Sequence, residues 1–180
     1  MIEAFIGLGS NLGDRLDNLG EAVDRLGREP GFSLRRWSLA YETEPLGPPQ
    51  PKYLNAVAQV GTLLSPRATL QKLHEIEERL GRVRREKWGA REIDLDLLLF
   101  GDRVERTVPL VPHPRMHERA FALVPLVEIA PQALHPLLGV TASELVSRLL
   151  LVERAQVRPY RAIRRPLRDF DPDDEPPQAA

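Results

Sequence analysis

Cysteine is absent from this chain, which excludes a disulfide framework and thiolate chemistry and leaves any metal to oxygen or imidazole ligands. Hard cations suit such a chain better than zinc. An excess of one charge is also missing: 25 Lys+Arg stand against 26 Asp+Glu, for a net charge of -1. No overall field therefore draws the protein to nucleic acid or to a membrane surface. Aromatic residues are sparse at 6%, and no strand-like run alternates them as single-strand RNA binders do. No apolar run approaches the roughly 18 residues of a membrane span, and the opening MIEAFIGLGS lacks the basic region and long apolar stretch of a signal peptide. These absences lead us to expect a cytoplasmic protein with small-molecule partners, no nucleic acid and no membrane; we further expect a monomer. A length of 180 residues with 42% hydrophobic content suits one core, burying roughly 70% of the unfolded surface.

What is present concentrates in Gly81 to Phe100, GRVRREKWGAREIDLDLLLF. Arg82, Arg84, Arg85, Lys87 and Arg91 crowd a segment that also carries Trp88, Gly81 and Gly89, as a loop built to close over anions would. Ile93 to Phe100 then reads as a strand, whose period of two puts Asp94 and Asp96 on one face with Cβ atoms about 6 to 7 Å apart. Two such carboxylates repel unless a divalent cation or an arginine neutralises them. Mg²⁺ with a polyphosphate answers both halves: the ion takes one or two carboxylates with phosphate oxygens and water, and arginines grip the other oxygens. Structural ion pairs and a solvated charged face account for the same residues equally well. Apolar Ile93, Leu95, Leu97 and Leu99 on the strand's other face predict a central strand.

Ile2 to Leu8 reads as the first strand, followed by a glycine-bearing turn and a helix on which Leu16, Leu19, Val23 and Leu26 recur, stopping near Gly27. Phe32 to Thr43 and Tyr53 to Leu64 read as strands paired across the proline-rich segment 44–52. Ser65-Pro66 opens a second helix, with Leu70, Leu73, Ile76, Glu77 and Leu80 on one face. Val108 to Pro114 is extended, Leu123 to Ile129 returns to the core, and a last helix is expected from Thr141 to Val152. Strand, helix, two paired strands, helix, strand is the ferredoxin-like order. The expected fold class is therefore α+β: an α/β sandwich with helices packed on a largely antiparallel sheet and additional C-terminal elements. The domain is expected over 1–157. Residues 158–180 turn from basic to acidic and proline-rich, and predict a mobile tail.

Several motifs stand in order: GLGSNLGDR at Gly7 to Arg15, YETEPLG at Tyr41 to Gly47, YLNAV at Tyr53 to Val57, the stretch from Gly81 to Gly101, and VPHPRMHERAFALVPLVEIAP at Val111 to Pro131. On these the chain, over about Ile2 to Leu150, resembles the 6-hydroxymethyl-7,8-dihydropterin pyrophosphokinase family. The GxxxxGK[ST] phosphate loop of ordinary nucleotidases is absent. The resemblance implies transfer of pyrophosphate from ATP to the pterin's hydroxymethyl group in folate biosynthesis, giving AMP and the pterin diphosphate.

It also implies site residues. Asp94 and Asp96 would hold two Mg²⁺ ions, with Arg82 and Arg91 stabilising charge beside them. Glu77, Arg84, Trp88 and His113 would serve ATP. Thr43, Pro45, Leu46, Tyr53, Asn55 and Phe121 would form the pterin site, Tyr53 and Phe121 sandwiching the ring and Asn55 reading its edge. From the residues alone, a place in the core is the commoner role for Tyr53 and Phe121 than a ligand platform. GLGSNLGDR reads as scaffold: glycines for the turn, Asn11 for a turn or cap, Asp14 at a positive helix end. The 44–52 and 82–91 segments are expected to close as lids. No general base is evident, which suits a transfer governed by positioning and electrostatics.

Overall fold

A computed structural model describes residues 1–45, 48–81 and 89–165. Asp14 starts the first helix, α1 (Arg15–Arg28), its side chain accepting from the Asp17 N–H at 3.0 Å. Ser65 does the same for α2 (Pro66–Arg79), with Pro66 in the first turn, where its missing N–H costs no hydrogen bond. Around them run β1 (Ile2–Ser10), β2 (Phe32–Trp37), β3 (Ala40–Thr43), β4 (Tyr53–Thr62) and β5 (Asp94–Phe100). A 3-10 turn (Met116–Glu118) leads into α3 (Ala120–Ile129). A small hairpin, β6 (Leu134–His135) and β7 (Val140–Thr141), precedes α4 (Ala142–Arg148), α5 (Leu151–Ala155) and β8 (Arg158–Arg161). Among the described residues no helix is long and apolar enough to cross a membrane.

The main sheet runs β5-β1-β4-β3-β8, with β2 also on β4, and all its pairings are antiparallel. The fold is α+β, as the element order predicts. Alternation divides the sheet's side chains between two cores. Ile6, Leu8, Ala58 and Leu95 meet Leu19, Val23, Leu73 and Ile76 of α1 and α2. Phe5, Val57, Leu98 and Leu99 meet Leu123, Leu126 and Leu145 of α3 and α4. Among the described residues the α3 and α4 core covers one end of the second face, and the site lies at the other end.

Five expectations need correction. The aspartate strand is an edge of the sheet, not its centre, since among the described residues β5 pairs with β1 alone. A bulge sets Phe5 opposite Leu99 and Ile6 opposite Leu97, so Leu99 joins the α3 core while Leu95 and Leu97 join the other. Phe32 to Thr43 breaks into β2 and β3 because Ser38 and Leu39 bond elsewhere: Ser38 Oγ accepts from Val57 N at 3.0 Å and Leu39 N donates to Glu128. The last helix divides into α4 and α5.

The expected tail is the largest difference. Residues 158–165 are part of the fold: β8 extends the sheet beside β3, Ile163 is buried in the first core, and Trp37 Nε1 donates to the Ile163 carbonyl at 3.1 Å. Arg165 reaches buried Asp24 on α1 at 2.9 Å. Composition hid this because β8 is exposed along its length and its affinity for the sheet lies in backbone bonds. Residues 166–180 lie outside those described.

Gly20 admits this segment, since a Cβ there would sit 2.6 Å from the Arg164 carbonyl oxygen. Gly20→Ala should therefore destabilise the protein by about 1–3 kcal/mol despite alanine's better helix propensity. Urea unfolding reads this, and an unchanged or higher midpoint would contradict the close approach.

Candidate active site

Register builds the site. Gly9 of β1 lies opposite Asp94 on one side and Asn55 on the other, and Asn55 lies opposite Tyr41 of β3. One row thus crosses four strands, with Asp96 opposite Gly7 two residues along. The glycines are the floor. A Cβ on Gly9 would stand 3.2 Å from Asn55 Oδ1 and 4.0 Å from Asp94 Cβ, and one on Gly7 would touch Leu98 at 3.4 Å. Above them is a cavity of about 260 Å³, walled by Thr43, Tyr53, Asn55, Arg91, Asp94, Asp96, His113, Arg119 and Phe121, among others.

Its two ends differ chemically. At the ring end, Asn55 Nδ2 donates to Thr43 Oγ1 at 2.7 Å, which orients the amide and turns its oxygen towards Gly9. Tyr53 and Phe121 add aromatic surface, and Arg119 stacks over Phe121 at 5.5 Å. At the charged end, Arg91 Nη1 pairs with Asp94 Oδ2 at 2.7 Å. Burial works against the Arg91 cation, but Asp94 and then Tyr53 and Asp96 outweigh it and raise its pKa. Arg119 is held lower, chiefly by burial, and its buried Nε has no hydrogen-bond partner among the described residues. An anion entering the cavity would satisfy it.

His113 closes this end. Its N–H donates to the Leu98 carbonyl at 2.8 Å, which ties it to the free edge of β5. Burial, then the Arg119 and Arg115 cations, push its pKa down to about 4 against the pull of Asp94. Nδ1 accepts from Arg115 N at 3.3 Å, so the neutral ring carries its proton on Nε2 and presents a donor.

Asn11 connects the loops. Its Oδ1 accepts from Arg91 N at 2.7 Å, while Nδ2 donates to Gln50 Oε1 and the Pro51 carbonyl. It is more than the turn or cap residue expected. Glu77 is buried and accepts from Leu95 N at 2.6 Å. This secures the edge strand and keeps Glu77 off the cavity wall described above. Of the expected residues the cavity gathers Thr43, Tyr53, Asn55, Arg91, Asp94, Asp96, His113 and Phe121; Pro45 is half-buried beside it. Leu46, Arg82, Arg84 and Trp88 lie outside the described residues. Sequence reasoning missed Arg119, although a cation two residues before Phe121 in HERAF was a usable signal, and it missed the alternating glycines as a floor.

The sequence profile of the 7,8-dihydro-6-hydroxymethylpterin-pyrophosphokinase (HPPK) family matches residues 5–131. The chain belongs to this HPPK family. A Synechocystis relative named 2-amino-4-hydroxy-6-hydroxymethyldihydropteridine pyrophosphokinase is 44% identical over 147 residues, covering 81% of this chain and 75% of that one. A Haemophilus influenzae protein of the same name is 44% identical over 138 residues, covering 76% and 86%. The HPPK fold also recurs in a crystal structure of Plasmodium falciparum HPPK-DHPS, at TM-score 0.66 and 15% identity. That match covers 82% of this chain and 43% of the other, and speaks for the fold alone.

His113 gives stability a pH dependence. The unfolded chain takes up this proton near pH 6.5 and the folded one resists it until about pH 4. Its contribution is complete above pH 6.5 and is lost as pH falls through that window. His113→Asn should flatten the decline in urea midpoint between pH 7 and pH 5 relative to wild type; equal slopes would show that the imidazole is not held neutral. Glu77→Ala, which strands Leu95 N, should cost about 1–3 kcal/mol in the same assay, and Glu77→Gln distinctly less.

Proposed function

We propose that this chain transfers a pyrophosphoryl group from ATP to the hydroxymethyl oxygen of 6-hydroxymethyl-7,8-dihydropterin, releasing AMP. The row Asp94, Gly9, Asn55 carries the reading, because it sets a carboxylate, which would suit phosphate-bound cations, and an amide, which would suit the edge of a heterocycle, on either side of a bare glycine. A pterin is flat, with amide and amino groups at its edge. Tyr53 and Phe121 offer its faces apolar surface, and Asn55 Oδ1, oriented through Thr43, accepts from its N–H groups. The hydroxymethyl group then points towards Asp94 and Asp96.

The alcohol oxygen bonds to the β-phosphorus as the bond from that phosphorus to the α–β bridging oxygen breaks. The bridging oxygen leaves with AMP, and the alcohol proton goes to solvent. Arg91, Arg119 and His113 line the cavity together with Asp94 and Asp96, and the two guanidiniums and the imidazole Nε2–H would stabilise the charge spread over the phosphate oxygens. Asp94 and Asp96 are the hard-oxygen pair that would hold Mg²⁺, and the ion would supply neutralisation of phosphate charge there. The described residues contain no cluster of three His, Cys, Asp or Glu suited to a metal, so the ion would need nucleotide oxygens beside the two aspartates. Arg91 holds Asp94 meanwhile. Arg82, with Arg84 and Trp88, adds charge and cover by family resemblance, as Leu46 and Pro45 add to the pterin side.

Protein incubated with ATP, Mg²⁺ and the pterin should yield AMP, without ADP, only when the pterin is present. ADP would mean single-phosphoryl transfer, and no nucleotide product would overturn the reading. Asp96→Asn should lower the rate by about 100-fold or more with an unchanged circular dichroism spectrum; near-normal turnover would remove the carboxylate from the mechanism.

A further inference from the structure

The sheet edge opposite β5 also reaches the pterin side of the cavity, through Arg15. One nitrogen of its guanidinium, Nη1, donates to the Lys52 carbonyl at 2.9 Å and pairs with Glu42 Oε2 at 3.1 Å. Lys52 immediately precedes Tyr53, and Glu42 immediately precedes Thr43, the residue that orients Asn55. Arg15 therefore ties together the backbone beside both ring-side elements. Its guanidinium carbon lies 5.9 Å from the centre of the Tyr160 ring on β8. Tyr160 is itself held in place: β8 pairs with β3, Ile163 is buried, and Arg165 grips Asp24.

We propose that Arg15 is a positioning residue for the pterin, holding the exit of the 44–52 segment against a brace formed by residues 158–165. The inference rests on the proposed reaction. Asn11 already holds Gln50 and Pro51; Arg15 takes the next carbonyl, fixing the chain where it enters β4 at Tyr53, which lines the cavity. An exposed ion pair would contribute little by itself. A charged donor on a backbone carbonyl, backed by an aromatic face, contributes more. None of the Arg15 contacts named here reaches Arg91, Asp94, Asp96 or His113, so the effect should fall on one substrate only.

The test compares Arg15→Ala, Arg15→Lys, Tyr160→Ala, Tyr160→Phe and the double alanine variant by steady-state kinetics, with pterin affinity read by fluorescence. Arg15→Ala should raise the pterin KM about tenfold, the size of a lost charged hydrogen bond, and leave the ATP KM unchanged. Arg15→Lys should recover part of the loss. Tyr160, 44% exposed and replaceable without opening the core, should give a smaller rise as alanine and none as phenylalanine. The double variant should be no worse than Arg15→Ala, since the ring acts through the guanidinium. An unchanged pterin KM in Arg15→Ala, equal rises in both KM values, or strict additivity with Tyr160→Ala would overturn the role. Those outcomes leave wild-type turnover intact. A wild-type protein that makes no pterin-dependent AMP would overturn the reaction itself and this role with it.

Discussion

The site depends on a gap in a sheet face. Antiparallel pairing brings Asp94, Gly9 and Asn55 into one row, and only a residue without a side chain keeps the carboxylate and the amide apart with space between them. Asp94 Cβ and Asn55 Oδ1 already close in on the place where a Gly9 Cβ would stand. Everything else about the cavity is arranged around that space. Elsewhere on this face Phe5, Val57, Leu98 and Leu99 are large and covered by α3 and α4, so the core ends where the glycines begin.

Placing the carboxylates on an edge strand has a physical cost and a use. Edge N–H and C=O groups need partners. Glu77 supplies one to Leu95, and the main chain of His113 supplies one to Leu98. The same bonds fix β5 and bring the imidazole to the phosphate end. An edge also leaves Asp94 and Asp96 half-exposed, where water and phosphate can reach them. In a central strand such a pair would have lost far more solvation.

Much of this was legible in the chain. The alternation of Asp94 and Asp96, the caps Asp14 and Ser65, and the order of strands and helices are local signals, and each is met. What failed was the position of β5 within the sheet, since an apolar face looks alike at centre and edge. The bulge also eluded pattern reading, because one extra residue shifts the parity of everything after it. Exposed, arginine-rich β8 carries no hydrophobic signature, and only its pairing with β3 and the burial of Ile163 reveal that it belongs to the fold. Arg119 lay unnoticed in a charged run for the same reason: charge alone does not say which cation is buried.

The sequence by itself determined the class of fold, the family and the residue types of the chemistry, because strand parity, helix caps and motif order are properties of neighbours along the chain. Tertiary structure alone decided which of these residues share a cavity. It set Gly9 between Asp94 and Asn55, lowered the His113 pKa by burying it beside the Arg119 and Arg115 cations, and turned Arg15 from a helix-start cation into a link between β3, β4 and β8. Each of those outcomes depends on distances between segments far apart in the chain, which backbone pairing and burial set and local pattern does not record.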